Sequence, residues 1–496
     1  MPSSKSLPKH AVKNFFKPVS PFELFYQLTY LSAVSAAGVT RSKLFEIAAS
    51  NTTATAAYFA AINVLVVEFR YDYAEACRLI GVQAKSENFR SFLLRLSDAL
   101  RSGEPLAEFL AREAEVQGLD YQNRYERDLE AMKQWTNAFS SIVISVALIV
   151  IIQVITSMVY STDVRSMSGM VAAGLLMNAL GAFIIFRSAP REVLVVPTGT
   201  GSAEQRKAMR WFRMLAPIGF LAASTMTLIG VPLGWSMIVL AVFLMPVGLL
   251  SARSDKAVMK KDEEFSTFLR SVGGMATASG TTLKQALRRM ELDSFPMLSV
   301  DIRRLSTRLE ALVEPDVCWR KFGAESGSRL ISDVTEIFYQ AVRMGGDPER
   351  VGYLCSLFVT RTVQLRAKRR LIAGTFGGLT TVMHAVVAVL MVFVLSIVQN
   401  FADMVATLLP QSTDAMQSAP QMSLGIAEFS ASDLQFLSLI TVTMVIFMAV
   451  IASVAIILSN GGYRLKVTMY LALTGFISGV SFIIVPPLVA SVLIST

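Results

Sequence analysis

Residues 374–398 read GTFGGLTTVMHAVVAVLMVFVLSIV, and they decide the fold class. This stretch contains no Asp, Glu, Lys or Arg. About twenty apolar residues are enough to cross a hydrocarbon core of roughly 30 Å as a helix. The whole chain is 53% hydrophobic and only 17% charged, whereas soluble domains carry about 25% charged residues. The stretch therefore predicts a transmembrane helix of an integral membrane protein.

Similar charge-free stretches lie on both sides of this one. They are Ala138–Tyr160, Ser168–Phe186, Met214–Val231, Leu233–Leu250, Phe436–Leu458 and Val467–Ile494. The third and fourth are read as two helices, because the glycines and proline of residues 230–234 predict a turn between them. We expect an all-α polytopic membrane protein with about seven transmembrane helices and two helical cytoplasmic domains.

The distribution of basic residues predicts the orientation. Residues 1–21 are basic and contain prolines, and no apolar segment of a cleavable signal peptide follows them. With the N-terminus inside, Arg165 is the one base in the segments expected outside, so 45 of the 46 Lys and Arg lie on the cytoplasmic side. Lys and Arg concentrate in cytoplasmic loops. We therefore expect a cytoplasmic N-terminus and, after an odd number of spans, an external C-terminus.

This topology predicts four regions along the chain. They are a cytoplasmic domain at 1–137, spans with a cytoplasmic loop 187–213 at 138–250, a second cytoplasmic domain at 251–373, and spans with an external loop 399–435 at 374–496. The second domain carries a net charge of +6, against +1 for the first. Attraction to anionic lipid and binding of an acidic protein partner both explain this charge. We expect no nucleic acid partner.

The second domain predicts two helices joined by a tight turn. Apolar residues recur at spacings of three and four from Phe265 to Met275, as in an amphipathic helix. Gly280 suits the left-handed position that ends a helix. Thr282 and Gln285 fit a capping box that starts the next one.

The first domain repeats this arrangement. Apolar residues from Phe25 to Val34 lead to Gly38, which lies 242 residues before Gly280. A second turn follows in each domain, Gly103-Glu104-Pro105 and Gly346-Asp347-Pro348, with a separation of 243. In these turns glycine can close one helix, the acid can cap the next, and proline can occupy its first turn. Two turns in the same order at nearly the same offset predict a duplicated domain.

The turn segments resemble those of the type II secretion F-domain family. The stretches are SAAGVTRSKLFEIAA and LRSGEPLAEFLAREA in the first domain, and ATASGTTLKQALRRM and VRMGGDPERVGYLCSL in the second. The layout is similar to the archaeal branch, which serves type IV pili and archaella. The resemblance implies a non-enzymatic membrane platform that docks a hexameric secretion-type ATPase and contacts pilin or archaellin subunits. We also expect membrane lipids as partners and a homodimer.

Candidate partner-binding residues precede the fifth span. They are Arg361, Arg366, Lys368, Arg369 and Arg370. These bases suit either a helix end anchored at lipid headgroups or a contact with the motor.

No catalytic, metal-binding or cofactor motif is recognised in the sequence. The Gly199-Thr200-Gly201 segment lacks the second glycine and the Lys-Ser/Thr pair of a P-loop. We therefore expect neither an enzyme nor a bound cofactor.

A transporter or channel with regulatory helical domains is the alternative function. Intramembrane charges mark transport pathways, but the predicted spans contain no Asp, Glu, Lys or Arg. His384, Gln153 and Asn178 are the polar residues to weigh. His384 fits a proton relay, or a neutral histidine bonded to a neighbouring helix. Gln153 and Asn178 are predicted to form interhelical hydrogen bonds.

Overall fold

The computed structural model describes residues 16–51, 53–159, 164–190, 192, 202–408 and 431–494. These ranges contain α-helices and two short 3₁₀ helices, and no β-strand. The all-α prediction is confirmed. In chain order the helices are α1 (Pro21–Ser35), α2 (Arg41–Ser50), α3 (Ala56–Val67), α4 (Tyr73–Gln83), α5 (Glu87–Ser102), α6 (Leu106–Val159), α7 (Val164–Ser188), α8 (Ala203–Leu228), α9 (Leu233–Ala278), α10 (Leu283–Arg289), α11 (Ser299–Glu310), α12 (Pro315–Ser326), α13 (Arg329–Arg343), α14 (Pro348–Leu408), α15 (Ala431–Asn460) and α16 (Val467–Ile494).

The chain divides into two compact units. The domain unit consists of Met1–Glu126, Val195–Ser202 and Ala257–Arg366, and therefore holds most of both predicted cytoplasmic domains. The membrane unit consists of Arg127–Leu194, Ala203–Lys256 and Ala367–Thr496. Helices α6, α9 and α14 contribute residues to both units.

The two halves of the domain unit repeat the same helices at a constant offset. Helices α2, α4, α5 and α6 begin at residues 41, 73, 87 and 106, and helices α10, α12, α13 and α14 begin at residues 283, 315, 329 and 348. Each pair differs by 242 positions. Helices α3 and α11 differ by 243 at both ends. The order of helices is thus the same in both halves, as a duplicated domain requires.

The second copy brings α9 and α14 close together through two glycines. A side chain at Gly352 would come within 2.6 Å of the Leu269 carbonyl oxygen, and one at Gly273 would collide with the Pro348 carbonyl. Phe265 and Phe268 stack at 5.9 Å beside this crossing. Small residues allow such backbone contact, so this pair of glycines sets the helix separation.

The membrane unit has an apolar core formed by α6, α7, α14 and α15. Buried residues of this core include Phe139 from α6 and Phe376 from α14, whose rings lie 5.9 Å apart in a T-shaped arrangement. Helices α9 and α16 approach at Gly234 and Gly479, where a Cβ on either glycine would lie 2.7 Å from the other's carbonyl oxygen.

Within the part of the chain that the structure describes, six helices are long and apolar enough to cross a membrane. They contain six of the predicted spans, and the exception is Met214–Val231. This stretch belongs to α8, which ends at Leu228, and its apolar part is only about 22 Å long at 1.5 Å per residue. Ser224, Thr225 and Thr227 also lower its hydropathy. Most of the predicted external loop 399–435 and part of 161–167 lie outside the described residues.

Candidate functional site

An aromatic cluster joins the two domain copies. The Phe358 ring of α14 lies 4.6 Å from Phe25 and 6.3 Å from Tyr26, both on α1. Tyr121 of α6 stacks on Phe25 at 5.8 Å. Burial of the Tyr26 phenol raises its pKa well above the usual value. The copies therefore share an apolar interface and are not independent modules.

Arg361 lies at this same interface. Its guanidinium covers Gly118 of α6, so that a side chain at Gly118 would collide with it and would also come within 2.8 Å of the Phe25 ring. The Arg361 side chain thus contributes to the contact between the first and second copies.

Arg366 forms a buried ion pair within the domain unit. Its Nη1 lies 2.8 Å from Oδ2 of Asp262 on α9, and the two side chains are 11% and 5% exposed. The Ser328 hydroxyl donates to the other Asp262 oxygen and also caps α13, by accepting from the Ile331 amide. Arg366 therefore links α14 to α9 and, through Asp262, to the start of α13.

Arg369 is almost fully buried within the membrane unit. Its Nε donates to the Ser459 carbonyl at 2.9 Å, and its Nη1 donates to the Pro190 carbonyl at 2.8 Å. Nη2 donates to the Leu458 carbonyl at 3.2 Å. These oxygens belong to the end of α15 and to the residues following α7. Terminal carbonyls lack helical partners, so Arg369 satisfies two helix ends with one side chain.

Asp255 forms ion pairs with two further basic residues of the membrane unit. Its Oδ2 lies 3.2 Å from Lys466 Nζ and 3.8 Å from Arg370 Nη2, and its Oδ1 accepts from the Tyr463 amide. Lys368 is exposed. The predicted basic cluster is thus divided. The side chains of Arg361, Arg366 and Arg369 make internal contacts, while binding of a partner by the cluster stays a prediction.

The predicted turns contain left-handed glycines. Gly38, Gly103 and Gly280 have φ of +70°, +76° and +57°. In the fourth turn the left-handed residue is Gly345, with φ +96°, and not Gly346, which was predicted to close the helix. A side chain at Gly346 would lie 2.8 Å from the Ala341 carbonyl. With Gly345 in this role, the fourth turn also follows the 242-residue offset.

Asp347 caps α14 by two routes. Its carboxylate accepts from the Arg350 amide at 3.1 Å and from the Thr277 hydroxyl at 2.6 Å. Thr277 in turn accepts from the Glu349 amide. The Thr277 hydroxyl, together with the backbone amides of Arg350 and Glu349, lowers the pKa of Asp347. Pro348 is the first residue of α14.

Two predicted roles in the turns differ from the structure. Thr282 precedes α10, but its side chain makes no capping hydrogen bond, whereas the equivalent Thr40 accepts from the Lys43 amide. Pro105 lies just before α6, because its carbonyl accepts the first helical hydrogen bonds and Leu106 is the first helical residue. It therefore stands at the position of Asp347 and not of Pro348.

Two of the polar residues in the predicted spans, His384 and Asn178, have hydrogen-bond partners in the structure. His384 Nε2 lies 2.9 Å from the Ser478 hydroxyl of α16, which agrees with a histidine bonded to a neighbouring helix. Asn178 donates to the Gly174 carbonyl of its own helix. The prediction of an interhelical hydrogen bond is therefore wrong for the Asn178 side-chain NH₂ group. This group donates instead to a carbonyl in the preceding turn of its own helix, α7.

The exposed face of α11 carries no motif in the sequence and was not predicted. A depression of about 450 Å³ there is lined by Ser299, Val300, Arg303, Arg304, Thr307 and Arg308. Arg308 is bound by both carboxylate oxygens of Glu325, at 2.7 and 2.9 Å, whereas Arg303 and Arg304 are exposed. The +6 charge of the second domain was the available signal, but charge alone does not locate a surface.

Comparison with known proteins identifies the class. Residues 28–155 match the family described as "Type II secretion system (T2SS), protein F". The matched range holds most of the first copy and the beginning of the membrane unit. The chain is therefore a polytopic helical membrane protein in which residues 28–155 are similar to the type II secretion F family, and the resemblance inferred from the turns is confirmed.

Curated relatives extend this similarity over most of the chain. The chain is 24% identical over 416 residues to "Flagella accessory protein J" of Methanocaldococcus jannaschii, which covers 81% of this chain and 72% of the relative. It is 24% identical over 328 residues to the protein of the same name from Methanococcus voltae, which covers 64% of this chain and 59% of the relative. No solved structure matches.

Proposed function

We propose that this chain is a non-enzymatic membrane platform for an archaeal type IV filament, either a pilus or an archaellum. In this role it docks a cytoplasmic hexameric secretion-type ATPase and couples that motor to the assembly of pilin or archaellin subunits. One observation carries the proposal, namely two helical domains with the same order of helices in a single compact unit, the first of which matches the type II secretion F family. The similarity to Flagella accessory protein J supports it.

The long helices provide a route for coupling. Helices α6, α9 and α14 each contribute residues to both units, so a force on the domain unit is carried along continuous helical backbone. The Arg366–Asp262 pair fastens α14 to α9 inside the domain unit. Arg369 fastens α14 to the ends of α7 and α15 inside the membrane unit. Arg366 and Arg369, three residues apart on α14, thus bind this helix to its neighbours within the domain unit and within the membrane unit, respectively.

The same arrangement favours a seventh crossing by α8. Both domain copies belong to one compact unit, so they lie on the same side of the membrane and an even number of crossings separates them. Helices α6, α7 and α9 provide three. We therefore assign the fourth to α8, with the turn at Gly230 (φ +87°) outside, the N-terminus inside and the C-terminus outside. Labelling of a Val231→Cys variant from outside intact cells tests this assignment.

Membrane lipids and a second copy of the chain are further proposed partners. A side chain at Gly475 of α16 would meet open space among the described residues. Small residues at helix surfaces allow close approach of another helix within a membrane. A homodimer through this part of α16 is therefore a reasonable arrangement.

Binding of the motor tests the proposed function. The full chain is reconstituted in neutral lipid nanodiscs and mixed with the purified secretion-type ATPase of the same organism. We expect a saturable complex that weakens as salt increases, because the domain with the +6 charge faces the motor. Nanodiscs without the chain are the control. Absence of any complex at low salt would contradict motor docking.

A further inference from the structure

The two copies of the domain differ sharply on one equivalent helix face. Helices α3 and α11 are related by an offset of 243 residues at both ends. Three of the four buried residues of each helix correspond, since Tyr58, Phe59 and Ile62 of α3 match Asp301, Ile302 and Leu305 of α11. The two helices therefore face the core of their domain in the same way.

The outward residues do not correspond in character. Ala60 and Ala61 of the first copy occupy the positions of Arg303 and Arg304 in the second. Val64, which is 50% exposed, occupies the position of Thr307. One scaffold thus accommodates small apolar residues in one copy and arginines in the other, so the fold itself does not require the arginines.

We propose that the exposed face of α11, centred on Arg303 and Arg304, is a docking surface for an acidic protein partner. Arg308 flanks the depression and is held in place by Glu325. Arg304 is 55% exposed in its side chain, and its neighbour Asp301 lies only 2.6 Å from Lys261 Nζ. Lys261 therefore contacts Asp301 more closely than Arg304 does, since Arg304 Nη1 lies 3.8 Å from the other Asp301 oxygen. The Arg304 side chain nevertheless keeps more than half of its surface exposed to solvent.

The residues around this face favour binding of a protein surface over binding of a lipid bilayer. Val300 is 57% exposed beside the arginines, and Leu312 is 84% exposed at the end of the same helix. Arginine with exposed apolar side chains is typical of the centre of a protein interface. Glu310 and Glu314 are also exposed at this end. They would be repelled by a uniformly anionic lipid surface, whereas the carboxylates of a protein can be placed to avoid them.

The inference rests on the proposed function for the identity of the probe, which is the purified secretion-type ATPase. Full-length chain in neutral nanodiscs is titrated with this ATPase at several salt concentrations. The test variant Arg303→Ala/Arg304→Ala carries the residues that the first copy has at these positions. The control Arg41→Ala/Lys43→Ala also removes two exposed bases, but on α2 of the first copy.

We expect the Arg303→Ala/Arg304→Ala variant to bind about 10- to 100-fold more weakly, with a smaller salt dependence. The control variant should bind like the wild type. Equal thermal midpoints of both variants and the wild type establish that the fold is intact. A charge-reversed Arg303→Glu/Arg304→Glu variant should bind more weakly still.

Three results would overturn the inference, and they differ in whether they also contradict the proposed function. Equal binding by the wild type and the alanine variant would exclude this face as the docking surface, while motor docking by the chain would still stand. Absence of binding by the wild type contradicts motor docking and this inference together. If the alanine variant binds the ATPase normally but loses binding to phosphatidylglycerol vesicles, the face belongs to lipid.

Discussion

Arg70 and Leu312 adopt the same left-handed backbone conformation at equivalent turns, with φ of +56° and +57°. They lie 242 residues apart, and among the described residues they are the two non-glycine positions with positive φ. Each follows the equivalent helix of its copy, α3 or α11. A side chain in this region costs about 1–2 kcal/mol, so both copies keep a strained turn at this point. In the second copy this turn lies beside the proposed docking face.

Substitutions at Leu312 should report this strain. Because Leu312 is 84% exposed, little packing is lost when its side chain is changed. We expect Leu312→Val to lower the free energy of unfolding by about 1–2 kcal/mol, because a β-branched residue tolerates positive φ poorly. Leu312→Gly should leave stability unchanged or raise it slightly. Thermal unfolding in detergent checks the order Gly, Leu, Val, and a valine variant as stable as the wild type would contradict the strain.

Removal of Asp262 should destabilise the domain unit severely. Asp262→Ala leaves the Arg366 guanidinium buried without its carboxylate, and breaking a buried pair in this way costs about 3–5 kcal/mol. Arg343→Ala is the matched control, because the Arg343–Asp316 pair is exposed (54% for Arg343) and contributes about 1 kcal/mol or less. Similar melting temperatures for the two variants would show that the Arg366 pair is not structural.

Gly461→Ala should disrupt the membrane unit. Gly461 has φ +67°, and a Cβ there would collide with the Arg369 guanidinium. We expect a loss of about 2 kcal/mol or more, because the substitution combines left-handed strain with displacement of Arg369. Gly475→Ala has open space and should be neutral in the monomer. Retention of wild-type thermal stability by Gly461→Ala would rule out the Arg369 contact.

The Asp347 cap should make stability depend on acidic pH. Its pKa is lowered below the ordinary 3.8, so its contribution is fully present above that value and is lost as pH falls through the lowered folded pKa. Thr277→Val removes the hydroxyl that is the first cause of the shift. The variant should therefore lose less stability than the wild type between neutral pH and pH 3. Parallel stability curves would contradict this account.

The internal contacts of the basic run change how partner binding is tested. Reversal of Arg366 and Arg369 to Glu would place carboxylates at buried positions, so any loss of binding would reflect a damaged fold. Lys368 is exposed and can be reversed with less structural effect. Lys368→Glu is therefore the variant with which lipid anchoring and motor contact at this helix end are compared, by measuring its binding to lipid vesicles and to the motor separately.

The spans and the duplicated turns could be predicted because their signals are local. Charge-free runs of about twenty residues and glycines at fixed offsets need no knowledge of neighbours. The choice between Gly345 and Gly346 failed because two adjacent glycines offer the same flexibility. Gly273 and Gly352 were missed because their role depends on the approach of α9 to α14, which becomes visible only in the folded chain.

The arginines illustrate the same limit. Arg366, Arg369 and Arg370 look alike in sequence, yet the first pairs with Asp262, the second with carbonyl oxygens and the third with Asp255. The carbonyl partners of Arg369 lie about 90 to 180 residues away from it along the chain. The α11 face becomes visible only when the helices of the two copies are placed in register.

Filament counts on cells provide the most direct test of the central claim. The chromosomal copy is deleted, and pili and archaella are counted by electron microscopy before and after complementation with the full chain. A platform role predicts loss of at least one class of filament and its recovery on complementation. A deletion strain that assembles every class of type IV filament at wild-type numbers would contradict the account.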